Sequence, residues 1–460
     1  NLHYEKFPDG TVKCIQDEIP FELPEGWEWT RLQAICEPIT DGTHKTPTYS
    51  DEGFIFLSSK NVTSGHIDWD NIMYIPESLH NELYARLAPQ KNDILLAKNG
   101  TTGVAAIVDR DCIFDIYVSL ALLRIIGYII SPEYLLSTIA SSTIQNYFNS
   151  SLKGIGVPNL HLEHIRTTLI PVAPINEQYR IATKLEQLLS FADNIESDKT
   201  DLQTTIQLTK SKILDLAIRG KLVKQNPDDE PASVLLDRIR AEKEELIKQG
   251  KIKRDKKESV IFRGEDNSYY LRMGNLIETL DDWRINDIPY SWGICCLGEV
   301  CDYGNCTNVD TKDIPKTAWI LDLEDIEKDT GKVSQKLTLK ERNSASTKHS
   351  FHKGQVLYSK LRPYLNKVVL VDDDGYCTSE ILPLDFNKYI LPEYAKYYLM
   401  SPTFLRYANH CSYGVKMPRL GTLDGRKAVL IVPPVNEQKR IADKVSQLFS
   451  LLDSIADNVN

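Results

Sequence analysis

The residues of this sequence that could carry out covalent chemistry are few and poorly spaced for it. Four of the nine cysteines lie between Cys295 and Cys306, but they lack C-x2-C spacing and neighbouring histidines, so a zinc site is not indicated. The segment Ala97–Gly103 contains two glycines without the G-x-x-x-x-G-K-[ST] spacing of a phosphate-binding loop. No G-x-S-x-G, H-E-x-x-H or adenine-methylating N/D-P-P-Y/F sequence occurs, and the acidic segment Asp322–Lys328 is typical of a solvated turn. We therefore expect a non-enzymatic chain with no catalytic residues and no metal.

Composition indicates a globular protein that does not coat nucleic acid through bulk charge. The 460 residues, 42% hydrophobic and 26% charged, have room for about three domains. A net charge of −10 still permits a local basic surface. The longest apolar run, Tyr117–Ile130, is shorter than the roughly 20 residues of a membrane span. With no basic-apolar leader, we predict a cytoplasmic protein with reduced thiols and no membrane partner.

A long internal repeat dominates the sequence. Between Pro174 and Ile195, 13 of 22 residues are identical to those 260 positions further on, starting at Pro434. Trp27 recurs loosely as Trp292, and the strand-like NDILLAK at Asn92 recurs as GQVLYSK at Gly354. A period this long indicates a duplicated domain rather than a solenoid.

Each copy combines short strands with helices and ends in an amphipathic helix. GFIFLSS, NDILLAK, GVAAIVD and NKVVLVDDDG are typical of strands, whereas SPEYLLSTIASSTIQNYF and LPEYAKYYLMSPTFLRYA predict a helix or a helix pair. Asn176 and Asn436 are candidate N-caps of the terminal helices. The predicted fold class is α+β, with two similar domains separated by a pair of long antiparallel coiled-coil helices.

The two terminal helices carry apolar residues at alternating spacings of four and three, which is typical of a coiled-coil stripe. The alternative is that each stripe packs on its own domain. The predicted helix-pairing seam comprises Ile181, Leu185, Leu188, Ala192, Ile195, Ile441, Val445, Leu448, Leu452 and Ile455.

A charged region follows the first helix. Gly220 is expected to end that helix, and Ser233–Lys248 predicts a second one. The basic run Lys251–Lys257 is either a solvated linker or a contact with phosphates or an acidic partner.

Several of these segments together resemble the specificity subunits of type I restriction–modification systems. The resemblance rests on P-x-N-E-Q-x-R-I-A at Pro174 and Pro434, LPEGWEWTRL at Leu23, and the central segment Ala217–Leu246. ITDGTHKTPTY, FLSSKNV and DILLAKNGTTGVAAIV are similar to one type of target recognition domain. WILDLEDIEKDTGKV and GQVLYSKLRPYLNKVVLV are similar to another. The resemblance covers nearly the whole chain.

The resemblance implies the function and the partners. Each recognition domain would read one half of a bipartite double-stranded DNA target, and the helices would set the unread gap. Two modification subunits would supply adenine methylation with S-adenosylmethionine, and restriction subunits would supply ATP- and Mg-dependent translocation and cleavage. The implied domains are 1–175 (first recognition domain), 176–265 (central helical spacer), 266–435 (second recognition domain) and 436–460 (C-terminal helix).

Given this resemblance, polar and basic side chains on loops beside strands are the candidates for DNA contact, because their donors and acceptors match base edges and phosphates. The candidates in the first copy are Thr43, His44, Lys45, Thr46, Ser59, Lys60, Asn61, Lys98, Asn99, Thr101 and Thr102. Those in the second are Lys348, His349, Lys360, Arg362, Tyr364, Asn366, Tyr413, Lys416 and Arg419. Lys98 and Lys360 occupy equivalent positions and suit a shared phosphate contact.

Three other functions fit parts of the sequence. A DNA-specificity scaffold of a methyltransferase-only or other phage-defence assembly would need no restriction subunit. A stand-alone nuclease would need catalytic motifs that are not found. A purely structural coiled-coil adaptor would leave two diverged polar domains unexplained.

Overall fold

The computed structural model describes residues 2–63, 65–152, 158–252, 259–266, 268–280, 288–342, 344–386 and 388–459. These residues form two compact units, unit 1 (Asn1–Ile195) and unit 2 (Glu196–Asn460). Most of the basic run Lys251–Lys257 lies outside the described residues. The finer predicted boundaries at 175, 265 and 435 stay predictions.

Unit 1 is a mixture of short strands and helices, as predicted. Its strands are β1 Tyr4–Lys6, β2 Val12–Cys14, β3 Glu28–Arg31, β4 Cys36–Asp41, β5 Phe54–Leu57, β6 Met73–Ile75, β7 Ile94–Ala97, β8 Ala105–Ile107, β9 Phe114–Ile116, β10 Leu120–Ile125 and β11 Leu169–Val172. Its helices are α1 Glu77–Arg86, α2 Pro132–Ala140, α3 Ser142–Ser150, α4 Leu162–Thr167 and the first part of α5 Ile175–Ile218.

The core of unit 1 lies around a four-stranded antiparallel sheet of order β4-β10-β7-β8. Strand β7 reads ILLA and is buried along its whole length, which explains its continuous apolar run. A second sheet, β6-β5-β9, contains one parallel pair, and β3 pairs with β11. Ser131 caps α2 by accepting a hydrogen bond from Tyr134 N, with Pro132 in the first turn.

Unit 2 repeats this plan and adds to it. Its strands are β12 Ser259–Arg263, β13 Tyr269–Met273, β14 Leu276–Thr279, β15 Gly293–Cys296, β16 Asn308–Val309, β17 Trp319–Leu321, β18 Leu337–Thr338, β19 Lys348–Phe351, β20 Val356–Ser359, β21 Val368–Leu370, β22 Gly375–Thr378, β23 Ile381–Leu384, β24 Ser412–Tyr413, β25 Arg419–Leu420 and β26 Val429–Val432. Its helices, after the end of α5, are α6 Ala232–Lys248, α7 Leu297–Val300, α8 Leu339–Arg342, α9 Pro392–Leu399, α10 Pro402–His410, α11 Thr422–Lys427 and α12 Val435–Val459.

The sheets of unit 2 have the orders β16-β19-β22-β17-β18, β21-β20-β23, β12-β13-β14, β15-β26 and β24-β25. One large core joins β20, β23, β26 and α9 to the end of α5, to α6 and to α12. The predicted charged helix is confirmed as α6, and the predicted helix pairs are confirmed as α2–α3 and α9–α10.

Each long helix is joined to its own unit by the same tryptophan–glutamate contact. Trp27 Nε1 donates to Glu177 Oε2 at 3.3 Å in unit 1, and Trp292 Nε1 donates to Glu437 Oε2 at 3.0 Å in unit 2. Burial is the main influence on the Glu437 carboxyl and raises its pKa.

A buried glutamine completes each junction. Gln178 accepts from Ser131 N at 2.9 Å and donates to Ile129 O and Ala173 O. Gln438 accepts from Leu391 N at 2.8 Å and likewise donates to two carbonyls of its own unit. Both side chains are fully buried, which explains the repeated N-E-Q sequence. The N-cap prediction was wrong, because α5 and α12 begin one residue before Asn176 and Asn436.

The last part of α5 and α12 run antiparallel within unit 2. Lys210 of α5 donates a hydrogen bond to Asp453, near the C-terminal end of α12. Gln225, in the segment that follows α5, donates to Glu437 in the first turn of α12. The buried stripe of α5 passes through Ile206, Lys210 and Ile213. A lysine therefore occupies the middle of the apolar contact.

The predicted seam residues differ in burial. Ile441 and Val445 are fully buried, and Ile181, Leu448 and Leu452 are half-buried. The exposed members are Leu185, Leu188, Ala192, Ile195 and Ile455. Helix α12 has 25 residues against the 44 of α5, so the antiparallel contact in unit 2 uses only the last part of α5. The pairing of the exposed members stays a prediction.

Candidate nucleic-acid interface

Three polar loops of unit 1 meet at one short segment, Ile116–Ser119. Thr43 forms backbone hydrogen bonds to Ile116 O and from Val118 N, at 3.1 and 3.0 Å. Ser59 N donates to Ser119 Oγ at 3.0 Å, and Lys98 N donates to Ser119 O at 2.8 Å. The loops after β4, β5 and β7 are thus all hydrogen-bonded to residues 116–119.

Gly42 allows the first of these loops to approach the segment. A Cβ built on Gly42 would lie 1.9 Å from Ile116 O, far inside any allowed contact. Only glycine therefore fits between β4 and Thr43, and the loop's position depends on it.

The candidates of unit 1 differ in exposure. Those with exposed side chains are His44, Lys45, Thr46, Lys60 and Thr101, and those half-buried are Thr43, Ser59, Asn99 and Thr102. Asn61 and Lys98 are buried.

The two buried candidates have internal partners. Asn61 accepts from Ser58 N at 3.0 Å and donates to Asp68 O and Asn71 O, so it organises its own loop. Lys98 Nζ donates to Asp41 Oδ2 at 2.5 Å, and the other oxygen of Asp41 lies 3.3 Å from His44 Nε2. The sequence suggested surface positions for both, but burying a lysine requires a counter-charge, and Asp41 at the end of β4 in the same sheet provides it.

Unit 2 brings together two loops at the corresponding place. Arg362 N donates to Pro418 O at 2.7 Å, and Leu420 N donates to Lys360 O at 3.0 Å, so residues 360–366 lie against the β24–β25 hairpin. In unit 1 Leu160 N donates to Lys98 O at 2.9 Å, so the predicted equivalence of Lys98 and Lys360 holds for their backbones. Arg362 has a φ of 49°, in the left-handed region.

The candidates of unit 2 also divide by exposure. Arg362, Tyr364, Tyr413 and Lys416 are exposed, and Lys360 and Arg419 are half-buried. Val415 and Met417 at the hairpin tip are exposed as well. They were not among the candidates for DNA contact, because those were chosen for polar or basic side chains.

Three candidates of unit 2 are buried, contrary to the expected surface position. Lys348 Nζ lies 3.3 Å from Asp322 Oδ1, and His349 Nδ1 lies 2.9 Å from Ile381 O. Both are on strand β19, which lies between β16 and β22 in its sheet, and both side chains are buried. Asn366 Nδ2 donates to Met400 O at 3.1 Å.

Arg419 holds the hairpin to the body of unit 2. Its Nε and Nη2 both contact the carboxylate of Glu380, with the shortest distance 2.8 Å, and its Nη1 donates to Met417 O. The hydrogen bonds from Arg419 hold the pKa of the Glu380 carboxyl below its usual value. A bidentate pair of this kind fixes orientation as well as charge.

Within the described residues, no group of three or more His, Cys, Asp and Glu side chains is arranged to hold a metal ion. The nine cysteines are all described and all unpaired. In the same part of the chain, no helix is long and apolar enough to cross a membrane.

Known proteins resemble this chain in sequence. Residues 24–203 and 289–459 match the family described as type I restriction modification DNA specificity domain. The EcoDI specificity subunit of Escherichia coli is 27% identical over 313 residues, or 67% of this chain and 61% of that protein. The EcoEI specificity subunit of the same species is 22% identical over 96% of this chain and 81% of its own length. The chain thus spans about three fifths of EcoDI.

Solved structures share the fold. The HsdS subunit from Thermoanaerobacter tengcongensis aligns over 96% of this chain and 94% of its own, with a TM-score of 0.52 and 18% identity. A second solved chain comes from a structural study of complex assembly and conformational transition of the type I R-M system. It aligns over 96% of this chain and 94% of its own length, with a TM-score of 0.57 and 18% identity. The predicted two-domain α+β fold with long helices is confirmed by these likenesses and by α5. With the family matched in both halves of the repeat, the chain belongs to the type I restriction–modification DNA specificity family.

Proposed function

We propose that this chain reads a bipartite double-stranded DNA target, one half-site with each unit. The observation that carries the proposal is that both units gather exposed polar loops beside equivalent positions, Lys98 and Lys360. In unit 1 the proposed contacts are His44, Lys45, Thr46, Lys60 and Thr101. In unit 2 they are Arg362, Tyr364, Tyr413 and Lys416.

The half-buried candidates would contact phosphates at the bases of the loops that carry the exposed candidates. Thr43, Ser59, Asn99, Thr102 and Lys360 lie at the bases of the same loops, where backbone amides and short side chains suit phosphate contacts. The Lys98–Asp41, Lys348–Asp322 and Arg419–Glu380 ion pairs would hold the loops in register, because their charges are already paired.

The chemistry of modification and cleavage is proposed for other subunits. This chain would be non-catalytic and would bind two modification subunits that carry S-adenosylmethionine and methylate adenine. Restriction subunits would supply ATP, Mg and cleavage. Relatives described as specificity subunits of type I restriction enzymes support this division.

A methylation map tests the proposal directly. The chain is co-expressed with its cognate modification subunit in a host lacking adenine methylation, and the plasmid is sequenced for N6-methyladenine. We expect a single bipartite motif with a fixed unread gap that disappears when this chain is omitted. A soluble complex without any motif would reject sequence reading. A motif without restriction of unmethylated DNA would identify a methyltransferase-only assembly.

A further inference from the structure

Unit 1 carries an open groove beside the start of α5. The groove has a volume of about 470 Å³, and its lining includes Trp27, Thr30, Ile35, Val172 and Pro174. Apolar and aromatic side chains thus meet solvent where β3, β11 and the helix come together.

The internal repeat identifies the same surface in unit 2. In unit 1 Trp29 pairs with Pro171 across β3 and β11, and in unit 2 Ile294 pairs with Ile431 across β15 and β26. Counting from these pairs, Thr30 corresponds to Cys295 and Val172 to Val432. The two grooves can therefore be compared position by position.

In unit 2 this surface is covered by helix α6. Ala232 N donates to Ser291 O at 2.8 Å, and Ala232, Leu235, Leu236 and Ile239 are buried against the core that contains Trp292 and Cys295. Their i, i+3, i+4, i+7 spacing forms one apolar face. The covering helix is thus a short amphipathic one.

The burial of equivalent positions differs accordingly. Cys295 and Val432 are fully buried, whereas Thr30 and Val172 are only half-buried. Pro434 is buried, but Pro174 is exposed. Unit 1 presents the surface that unit 2 buries under α6.

The polar rim of the groove is also retained. In unit 2 the loop before α6 presents Asp229, which lies 2.6 Å from Arg440 Nη2 and accepts from Asn436 Nδ2 at 3.4 Å. The repeat preserves these two residues as Arg180 and Asn176, and both are exposed in unit 1. The rim therefore offers a cation and an amide to an incoming carboxylate.

From these observations we propose that the unit 1 groove is a docking site for an amphipathic helix of a separate partner protein, preceded by an acidic loop and with the chemistry of residues 228–248. An aspartate of that loop would bind Arg180 and Asn176. Four apolar side chains at helical spacing would cover Trp27, Thr30 and Val172. The inference concerns a protein contact and does not depend on DNA recognition.

A labelled peptide tests this site. A fluorescein-labelled synthetic peptide with the sequence of residues 226–249 is titrated with the full chain, and fluorescence anisotropy is recorded. We expect saturable binding with a Kd below about 100 μM, and no binding of the same peptide carrying Leu236→Asp. Absence of saturation at millimolar protein would overturn the proposal.

A charge reversal locates the binding in unit 1. Arg180→Glu should weaken peptide binding by about tenfold or more, since it places a carboxylate against the peptide's aspartate. Lys184→Glu, an equal charge change at an exposed position one turn further, should change Kd by less than about twofold. Circular dichroism of each variant checks the fold. Equal losses in both variants, or a loss with Arg440→Glu alone, would contradict a site at the unit 1 groove.

The source of the helix is resolved by sedimentation. Concentration-dependent dimerisation of the chain that Arg180→Glu abolishes would overturn a separate partner and identify a second copy as occupant. A monomer that binds the peptide supports the docking site as proposed.

Discussion

At the scale of single residues, exposure separates candidates that can contact DNA from those that hold the loops. Arg362 is exposed in unit 2, whereas Lys98 is buried against Asp41 in unit 1. Residue type alone did not distinguish them, because a lysine or arginine serves either role. The partner carboxylate, which lies far away in sequence, decides which role it takes.

Arg362→Gly and Lys45→Ala should each affect a different half-site. Glycine accepts the left-handed backbone at position 362, so the variant removes the side chain without backbone strain. If a bidentate base contact is lost, discrimination at one position should fall by about 1–3 kcal/mol. Methylation of half-site libraries measures this, and an effect of either variant on both half-sites would contradict one reader per unit.

Gly42→Ala should disrupt unit 1. A Cβ at this position would meet Ile116 O at 1.9 Å, so we expect a loss of about 3 kcal/mol or failure to fold. Gly127→Ala is the control, because a Cβ there has no neighbour within 4 Å. Urea denaturation of both variants measures the difference, and equal stabilities would show that the β4 loop shifts freely.

At the scale of elements, the start of each long helix is fixed by side chains that close onto the backbone of its own unit. Gln178 and Gln438 are both buried. Each side-chain amide accepts one hydrogen bond from a backbone N–H and donates two to backbone carbonyls. Such contacts set the direction in which the helix leaves the unit. Apolar stripes alone would leave that direction free.

Gln178→Leu should be costly because it leaves three backbone groups without their partner. We expect a loss of about 3 kcal/mol in unfolding free energy, as buried unsatisfied groups keep their desolvation penalty. Gln187→Leu, the same change at an exposed position of α5, should stay within about 0.5 kcal/mol. Chemical denaturation with matched m-values tests this, and comparable stabilities would refute the junction's importance.

The antiparallel contact between α5 and α12 contains a charge pair, Lys210–Asp453. Burial alone would raise the pKa of Asp453, but the bonds from Lys210 and Lys332 outweigh it and lower that pKa. The pair therefore stabilises the fold above the ordinary pKa near 3.8, and this stability is lost as pH falls through the lower folded pKa. Lys210 itself is buried, and its carboxylate partner within the described residues is Asp453.

Asp453→Asn should destabilise unit 2 by about 2–3 kcal/mol at neutral pH, because Lys210 stays buried without its counter-charge. Asp443→Asn is the matched control on the same helix, where the side chain is exposed. Thermal unfolding at pH 7 and pH 3 measures both. The difference between the variants should shrink at pH 3, and an unchanged difference would contradict the ionic origin.

At the scale of the whole molecule, the charge of −10 contrasts with a DNA-reading function. The exposed Lys and Arg side chains among the proposed contacts are Lys45, Lys60, Arg362 and Lys416. Since phosphate neutralisation provides most non-specific affinity, we expect a surface with these four cations to bind DNA weakly without partner subunits. Partner subunits would add the remaining positive charge.

The isolated chain should bind its own target at least about tenfold more weakly than the complex with modification subunits. Its affinity should also show a shallower dependence on salt, because fewer phosphates are neutralised. Titrations at several salt concentrations, with and without the modification subunit, measure both quantities. Equal affinities and slopes would show that this chain carries the phosphate contacts itself.

The sequence by itself determined the repeat, the α+β class and the long helices, because these follow from local periodicity and from identities at a fixed offset. The family followed from the resemblance of motifs such as P-x-N-E-Q-x-R-I-A at Pro174 and Pro434 to those of known specificity subunits. The sequence also placed Lys98 and Lys360 at equivalent positions of the repeat, which their backbone hydrogen bonds share. Only the tertiary structure decided that Lys98, Lys348 and His349 are buried and that Lys210 lies within the helix contact. These outcomes depend on carboxylates and carbonyls brought from distant parts of the chain, which no local pattern encodes. The open groove of unit 1 likewise emerged only when the two folded copies could be compared.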